Sequence, residues 1–297
     1  MTAKGRSTTL DVFPRAKASG RKLAVLTAYD LTSARIAAAG GVDAILVGDS
    51  VGMVVLGYET TLPVTMSEMI HHCKAVMRSD PGVPVIADMP YGSFHVSPEE
   101  TVRQALDVVK QTGVNAVKIE GGRNRTEAIS ALLAAEIPVM GHLGLTPQSI
   151  NRFGGYKIQG RGAEAAAQLE DEALHLADLG CFALVLECVP AELARRISAR
   201  IGIPTIGIGA GAGCDGQVLV FHDLLGLFEG LKPRFVKRYA ELGRIAAEAV
   251  GRYVEEVRSG EFPGSEHEFG DAREKAPGEE GPASGQVYPG AMDGGGD

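Results

Sequence analysis

Tryptophan is absent from this 297-residue chain, aromatic residues make up 5% of it, and cysteine occurs four times. Each scarcity excludes a class of protein. Cys73, Cys181, Cys188 and Cys214 are scattered, with no CxxC pair and no histidine at zinc-ligand spacing beside them, which argues against a disulfide framework or a structural zinc. No apolar run approaches the roughly 18 residues that a membrane-spanning helix needs. The opening stretch MTAKGRSTTLDVFPRAKASGRK lacks the continuous apolar segment, about 7 to 15 residues long, of a secretory signal. The expectation is a cytoplasmic protein with reduced thiols and no membrane partner. Lys and Arg are dispersed and no basic stripe interleaves with aromatics, so nucleic acid is not expected as a partner either.

What is present is the composition of an ordinary globular chain, 45% hydrophobic and 22% charged. The net charge of −8 is concentrated at one end, because residues 264–297 hold eight acidic and two basic side chains. That leaves residues 1–263 nearly neutral. The sequence predicts one domain over 1–263, with a short N-terminal extension, and a disordered acidic, Gly-rich tail over 264–297.

Short β-rich apolar runs alternate with helical patterns: LAVLTA (23–28), AILVG (44–48), PVIAD (84–88), NAVKI (115–119), IPVMG (137–141), FALVLE (182–187), IPTIGI (203–208) and GQVLVF (216–221). Eight such runs predict an α/β fold of the (β/α)8, or TIM, barrel type. The last interval is too short for a strand, a loop and a helix, so either the seventh helix is vestigial or the eighth strand is misplaced. Thr65-x-x-Glu68 and Ser97-Pro98-Glu99-Glu100 read as capping boxes. Val102, Leu106 and Val109 form one apolar face closed by Gly113. A helix from about Pro233 to Val257 is expected to close the barrel. The connections Ser50–Pro63 and His142–Gly162 are long enough to read as active-site loops.

Nearly every predicted strand ends in polar residues, and barrel topology gathers strand ends at one face. Asp49, Asp88 and Glu120 end consecutive strands and would repel one another unless a cation neutralises them. All-oxygen ligation favours Mg²⁺, the alternative being dispersal of these carboxylates into salt bridges. Alternation places Lys118 and Glu120 on one face and Ile119 on the other. Lys118 then either holds a substrate carboxylate or pairs with a barrel carboxylate. The same alternation turns Glu187 inward and Cys188 outward, into packing. Glu187 ends an apolar strand, where desolvation would raise its pKa toward that of a general base, unless it is salt-bridged. The GxGxxG match at 211–216 lacks the following helix that a dinucleotide fingerprint requires.

Nine ordered blocks then carry a resemblance: TAYD (27–30), VGDSVGM (47–53), TLPVT (61–65), ADMP (87–90), VKIEGG (117–122), GHLGLTPQS (141–149), FGGYKIQGR (153–161), LECVP (186–190) and IGIGAG (206–211). Over about residues 8–268 the chain resembles the ketopantoate hydroxymethyltransferase family, whose barrels belong to the phosphoenolpyruvate mutase and isocitrate lyase superfamily. The resemblance implies a Mg²⁺-dependent transferase of pantothenate biosynthesis. Such an enzyme moves a hydroxymethyl group from 5,10-methylenetetrahydrofolate to 3-methyl-2-oxobutanoate. It implies Mg²⁺ on Asp49, Asp88 and Glu120, ketoacid contacts from Asp49, Ser50, Asp88 and Lys118, and Glu187 as proton acceptor. His142 matches an active-site loop histidine, and a homo-oligomer, by resemblance a decamer, is expected. The alternative is a Mg²⁺-dependent 2-oxoacid carbon–carbon lyase or phosphonate mutase of the same superfamily, and beyond it a non-catalytic ligand-binding barrel.

Overall fold

The computed structural model describes residues 8–228, 230 and 233–269. Its strands are β1 (Leu23–Thr27), β2 (Ala44–Val47), β3 (Val85–Asp88), β4 (Ala116–Glu120), β5 (Val139–Gly144), β6 (Ala183–Glu187), β7 (Thr205–Ile208) and β8 (Gly216–Leu219). Each pairs in parallel with the next, and β8 pairs with β1, so the sheet closes into the expected (β/α)8 barrel. The helices are α1 (Val12–Ser19), α2 (Leu31–Gly40), α3 (Val51–Val54), α4 (Met66–Met77), α5 (Pro98–Thr112), α6 (Thr126–Ala134), α7 (Ile150–Phe153), α8 (Ala163–Leu179), α9 (Ala191–Arg200), α10 (Phe221–Leu225) and α11 (Leu242–Ser259).

Strand alternation divides the core into two layers. Ala44, Leu46, Ile86, Ala116, Met140, Ala183, Val185 and Ile206 form the interior cluster, which Phe13 and Ala16 of α1 join. Val117, Ile119, Leu184 and Leu186 belong instead to the outer cluster, with the helix residues Met69, Leu132, Leu176 and Ile197. The apolar interior therefore fills the N-terminal half of the barrel, and the next inward positions along β3, β4, β5 and β6 are Asp88, Lys118 with Glu120, His142 and Glu187. A packed lower half makes a rigid floor for a polar upper half.

The short last interval is explained by a missing helix. Residues 209–215 connect β7 to β8 by turns alone, and the two strands pair at Ile206↔Gly216. Asp215 holds this tight connection, accepting from the Thr205 amide and from the Lys17 ammonium, each at 2.8 Å. Gly211 and Gly213 of the GxGxxG match lie in this turn and Gly216 opens β8, so a strand and not a helix follows them.

Several local expectations are corrected. The Thr65 cap is a full capping box, but Ser97 caps alone, because the Glu100 carboxylate is engaged by Arg103 and Gln104 instead. The buried face of α5 is Thr101, Ala105 and Val108, with Val102 and Val109 packed at its edge and Leu106 40% exposed. The Thr101–Ala105 line is small and partly polar, and hydrophobicity alone does not mark it. The helix expected from Pro233 starts only at Leu242. Before it, Phe235 packs against Gly209 and Val236 is buried, so this stretch follows the barrel and not a helical path. The chain divides into two compact units at Arg244–Ile245, inside α11, and β8–β1 pairing closes the barrel. Of the tail expected to be disordered, residues 270–297 lie outside the described residues.

Candidate active site

Five strand ends deliver the predicted side chains to one place. Asp49 follows β2, Asp88 ends β3, Lys118 and Glu120 share the inner face of β4, and His142 lies in β5; all five are buried. Glu187 ends β6 with 15% of its side chain exposed, at the edge of the group. His142 was expected in a loop, but pairing of Leu143 and Gly144 with Leu186 and Glu187 carries β5 past it. The two long connections are also less irregular than expected. The first opens with α3, and the second contains a 3-10 turn at Pro147–Ser149 and α7.

The contacts form a chain across the barrel mouth. The Lys118 ammonium pairs closely with Asp88 and stands 3.9 Å from Glu120 Oε1. His142 lies between two carboxylates, Nδ1 3.4 Å from Glu120 and Nε2 3.3 Å from Glu187. These are ion-pair distances, and neither ring nitrogen meets hydrogen-bond geometry. The Asp49 amide donates to Asp88 Oδ2 at 3.2 Å, tying β2 to β3. Ser50 Oγ is 2.8 Å from the buried Tyr29 hydroxyl, and a side chain on Gly48 would press on Ser50 Oγ at 2.8 Å. Glycine at 48 lets these polar groups converge.

Burial sets the electrostatics. Asp49 is pushed well above the ordinary carboxyl range by desolvation, then by Asp88 and Glu120. Desolvation also raises Asp88, with Lys118 opposing. For Glu120, burial acts upward but His142 and Lys118 outweigh it, and its carboxyl is held down. Burial would lower Lys118, yet Asp88, Glu120 and Asp49 hold it up. His142 is raised to about 9, as Glu120 and Glu187 overcome burial and Lys118. Asp49 and Asp88 are thus under-compensated acids, which a divalent cation would relieve.

The donor set fits such an ion. Asp49, Asp88 and Glu120 supply hard oxygens, and the buried Gln148 Oε1 has no hydrogen-bond partner; this chemistry suits Mg²⁺ better than zinc. Among the described residues no three His, Cys, Asp or Glu side chains already stand as a ligand set. The carboxylates are gathered with Lys118 among them.

Gln148 is the residue that sequence reasoning missed. Its amide donates to Glu120 Oε2 at 3.0 Å, and its Nε2 donates to Asp49 Oδ2 and the Met89 carbonyl, each at 2.9 Å. One residue from the loop after β5 thereby holds acids from two other strands. It is uncharged and lies outside any periodic segment, so its signals were its place in a long strand-end loop and within the block GHLGLTPQS. Cys188 behaves as expected of a non-nucleophile. Burial and then Glu187 push its thiol up to about 12, and its φ of 49° turns the chain sharply after Glu187.

Comparison with known proteins agrees with this fold. Among solved structures, a phosphonopyruvate hydrolase in complex with oxalate and Mg²⁺ superposes with a TM-score of 0.58 at 12% identity, covering 85% of this chain and 88% of that one. A 2,3-dimethylmalate lyase superposes with a TM-score of 0.54 at 19% identity, covering 86% and 87%. Both share the (β/α)8 barrel fold of this chain. The ketopantoate hydroxymethyltransferase family profile matches residues 7–265. A 3-methyl-2-oxobutanoate hydroxymethyltransferase of Nitratidesulfovibrio vulgaris is 57% identical, over 89% of this chain and 85% of its own length. That of Syntrophus aciditrophicus is 51% identical, over 90% and 98%. The chain belongs to the ketopantoate hydroxymethyltransferase family.

Proposed function

We propose that the protein transfers a hydroxymethyl group from 5,10-methylenetetrahydrofolate to 3-methyl-2-oxobutanoate, releasing 2-dehydropantoate and tetrahydrofolate for pantothenate synthesis. Beyond family membership, the observation that carries this reading is the line Lys118–Glu120–His142–Glu187. In it a buried cation and a rim carboxylate stand in one continuous network, which supports a role for the first toward a substrate carboxylate and for the second toward a proton.

Asp49, Asp88 and Glu120 would hold Mg²⁺, which when bound supplies the positive charge that favours enolisation of a 2-oxoacid. Lys118 attracts the substrate carboxylate, and Ser50, set by Tyr29, offers its hydroxyl beside it. Glu187 takes the proton from C3, and His142, 3.3 Å away, steadies the carboxylate before and after transfer. C3 then forms its bond to the methylene carbon as the first of the two carbon–nitrogen bonds to the carrier breaks; water displaces the second nitrogen and supplies the new hydroxyl, while the proton taken from C3 and one from water end on the two carrier nitrogens. Burial of the network excludes bulk solvent from the enolate, and the preset charges act without reorganising.

The enzyme is also proposed to work in the cytoplasm as a homo-oligomer, a decamer by family resemblance; no helix among the described residues is long and apolar enough to cross a membrane. A proton NMR time course with both substrates, with Mg²⁺ present or chelated, tests the reaction. Mg²⁺-dependent 2-dehydropantoate is expected. Exchange of the C3 proton in heavy water without that product would keep the enolising site and refute the acceptor, whereas cleavage of a 2-oxoacid would establish the lyase alternative.

A further inference from the structure

The block FGGYKIQGR (153–161) forms a strap between α7 and α8 whose ends are glycines at positive φ. Gly154 (63°) and Gly155 (113°) precede it, and Gly160 (73°) and Gly162 (85°) follow it. A Cβ at Gly155 or Gly162 would meet nothing within 4 Å, so backbone conformation and not crowding requires glycine there. On one side the strap is pinned beside the base, because the Gln159 amide donates to the Cys188 carbonyl at 3.0 Å, one residue past Glu187. On the other side the Tyr156 hydroxyl donates to Met53 Sδ at 3.7 Å, in α3, three residues past Ser50. The strap therefore reaches across the mouth from the end of β6 to the loop after β2, with Tyr156 on its span.

The Tyr156 hydroxyl is a donor without a strong acceptor. Thioether sulfur accepts weakly, so Met53 holds the O–H loosely. Tyr156 is half exposed, within reach of a molecule that enters the mouth. Burial, then the charges of Glu187 and Asp49, raise the phenol above its ordinary pKa, so it keeps its proton at neutral pH.

The proposed transfer needs such a group. A carrier nitrogen that leaves with its electron pair needs a proton as its bond to the methylene carbon breaks. That nitrogen stands one carbon beyond C3, farther out of the barrel than the proton Glu187 removes, so its donor has to come from the loops over the mouth. His142 lies deeper, buried between Glu120 and Glu187. His95, held near a pKa of about 4 by burial and then by Arg125, is neutral and a poor acid.

Resting on the reaction proposed above, we infer that Tyr156 is the acid that protonates the leaving carrier nitrogen. Its O–H gives up the proton as the first methylene–nitrogen bond breaks and the electron pair stays on nitrogen. The phenolate then takes from Glu187 the proton that came from C3. Glu187 is returned to its carboxylate and Tyr156 to its phenol, and the step consumes no further reactant. The open space around Gly155 and Gly162 lets the strap carry the hydroxyl from Met53 to the carrier.

Tyr156→Phe in the full-length protein tests this, since the ring stays and only the hydroxyl goes. Proton NMR reads two rates with Mg²⁺ present. One is exchange of the C3 proton of 3-methyl-2-oxobutanoate in heavy water without the carrier, and the other is formation of 2-dehydropantoate with 5,10-methylenetetrahydrofolate. Product formation should fall at least about a hundredfold, the usual worth of a positioned acid. Exchange, which ends at Glu187, should stay within about threefold of wild type. Met53→Leu removes the sulfur but leaves the hydroxyl, and should keep both rates within about threefold. Product formation near the wild-type rate in Tyr156→Phe would overturn the inference and leave the reaction standing. An equal fall in both rates would overturn it too, by making the hydroxyl a structural part of the site. A wild-type protein that exchanges the proton but forms no product would refute the reaction itself, and the inference with it.

Discussion

Gln148→Leu is the sharpest probe of how the carboxylates are held together. Leucine is close in volume, so little cavity is created, and the backbone donation to Glu120 survives. What is lost is the hydrogen bond from Nε2 to the buried Asp49 carboxylate and the one to the Met89 carbonyl, both at 2.9 Å. A bond to a charged acceptor is worth roughly 1.5–3 kcal/mol and a neutral one roughly 0.5–1.5. The sum predicts a loss of about 3 kcal/mol, and at roughly 2–4 °C per kcal/mol for a domain of this size a melting point lower by about 9 °C. Urea titration at fixed protomer concentration measures it, since oligomerisation would otherwise shift the midpoint. A loss below about 1 kcal/mol would refute the clamp, and would mean that Asp49 finds another partner.

Gly144 has a φ of 94°, and a Cβ there would overlap the Glu187 carbonyl oxygen. Gly144→Ala should therefore cost more than about 2 kcal/mol and lower kcat roughly tenfold or more, because the base itself must shift. Gly20, also at positive φ but with open space around it, is the control, and Gly20→Ala should cost only about 1 kcal/mol without touching kcat. The Cys73, Cys181 and Cys188 thiols are all pushed up to about 12, chiefly by burial. At pH 8 iodoacetamide should alkylate Cys188 about a thousandfold more slowly in the folded protein than in urea; equal rates would contradict its burial. Because the folded values are raised, the stability these thiols contribute is complete below the unfolded value near pH 9. It is lost as the pH rises toward 12, so the urea midpoint should fall over that window.

Much of the fold was legible because parallel strands are buried on both faces and read as unbroken apolar runs. PVIAD and FALVLE could be placed without any turn signal. Barrel topology then supplied the site, since strand-end residues such as Asp49 and Asp88 must converge whatever their separation in sequence. Legibility failed where geometry depends on small or neutral residues. Ala105 and Thr101 define the packed face of α5, but a hydrophobic pattern favours Leu106. His142 looked like a loop residue because the apolar run IPVMG ends just before it, yet pairing with β6 keeps it in the strand. Gln148 has neither charge nor period, and only its three hydrogen bonds reveal what it does.

The central claim is that Glu187 removes the C3 proton within the network it shares with His142. Proton NMR of the Glu187→Gln variant with 3-methyl-2-oxobutanoate and Mg²⁺ in heavy water tests it without the carrier. The account predicts that exchange of the C3 proton slows by about 10² to 10⁴ relative to wild type. Exchange at the wild-type rate would contradict it and require a different base.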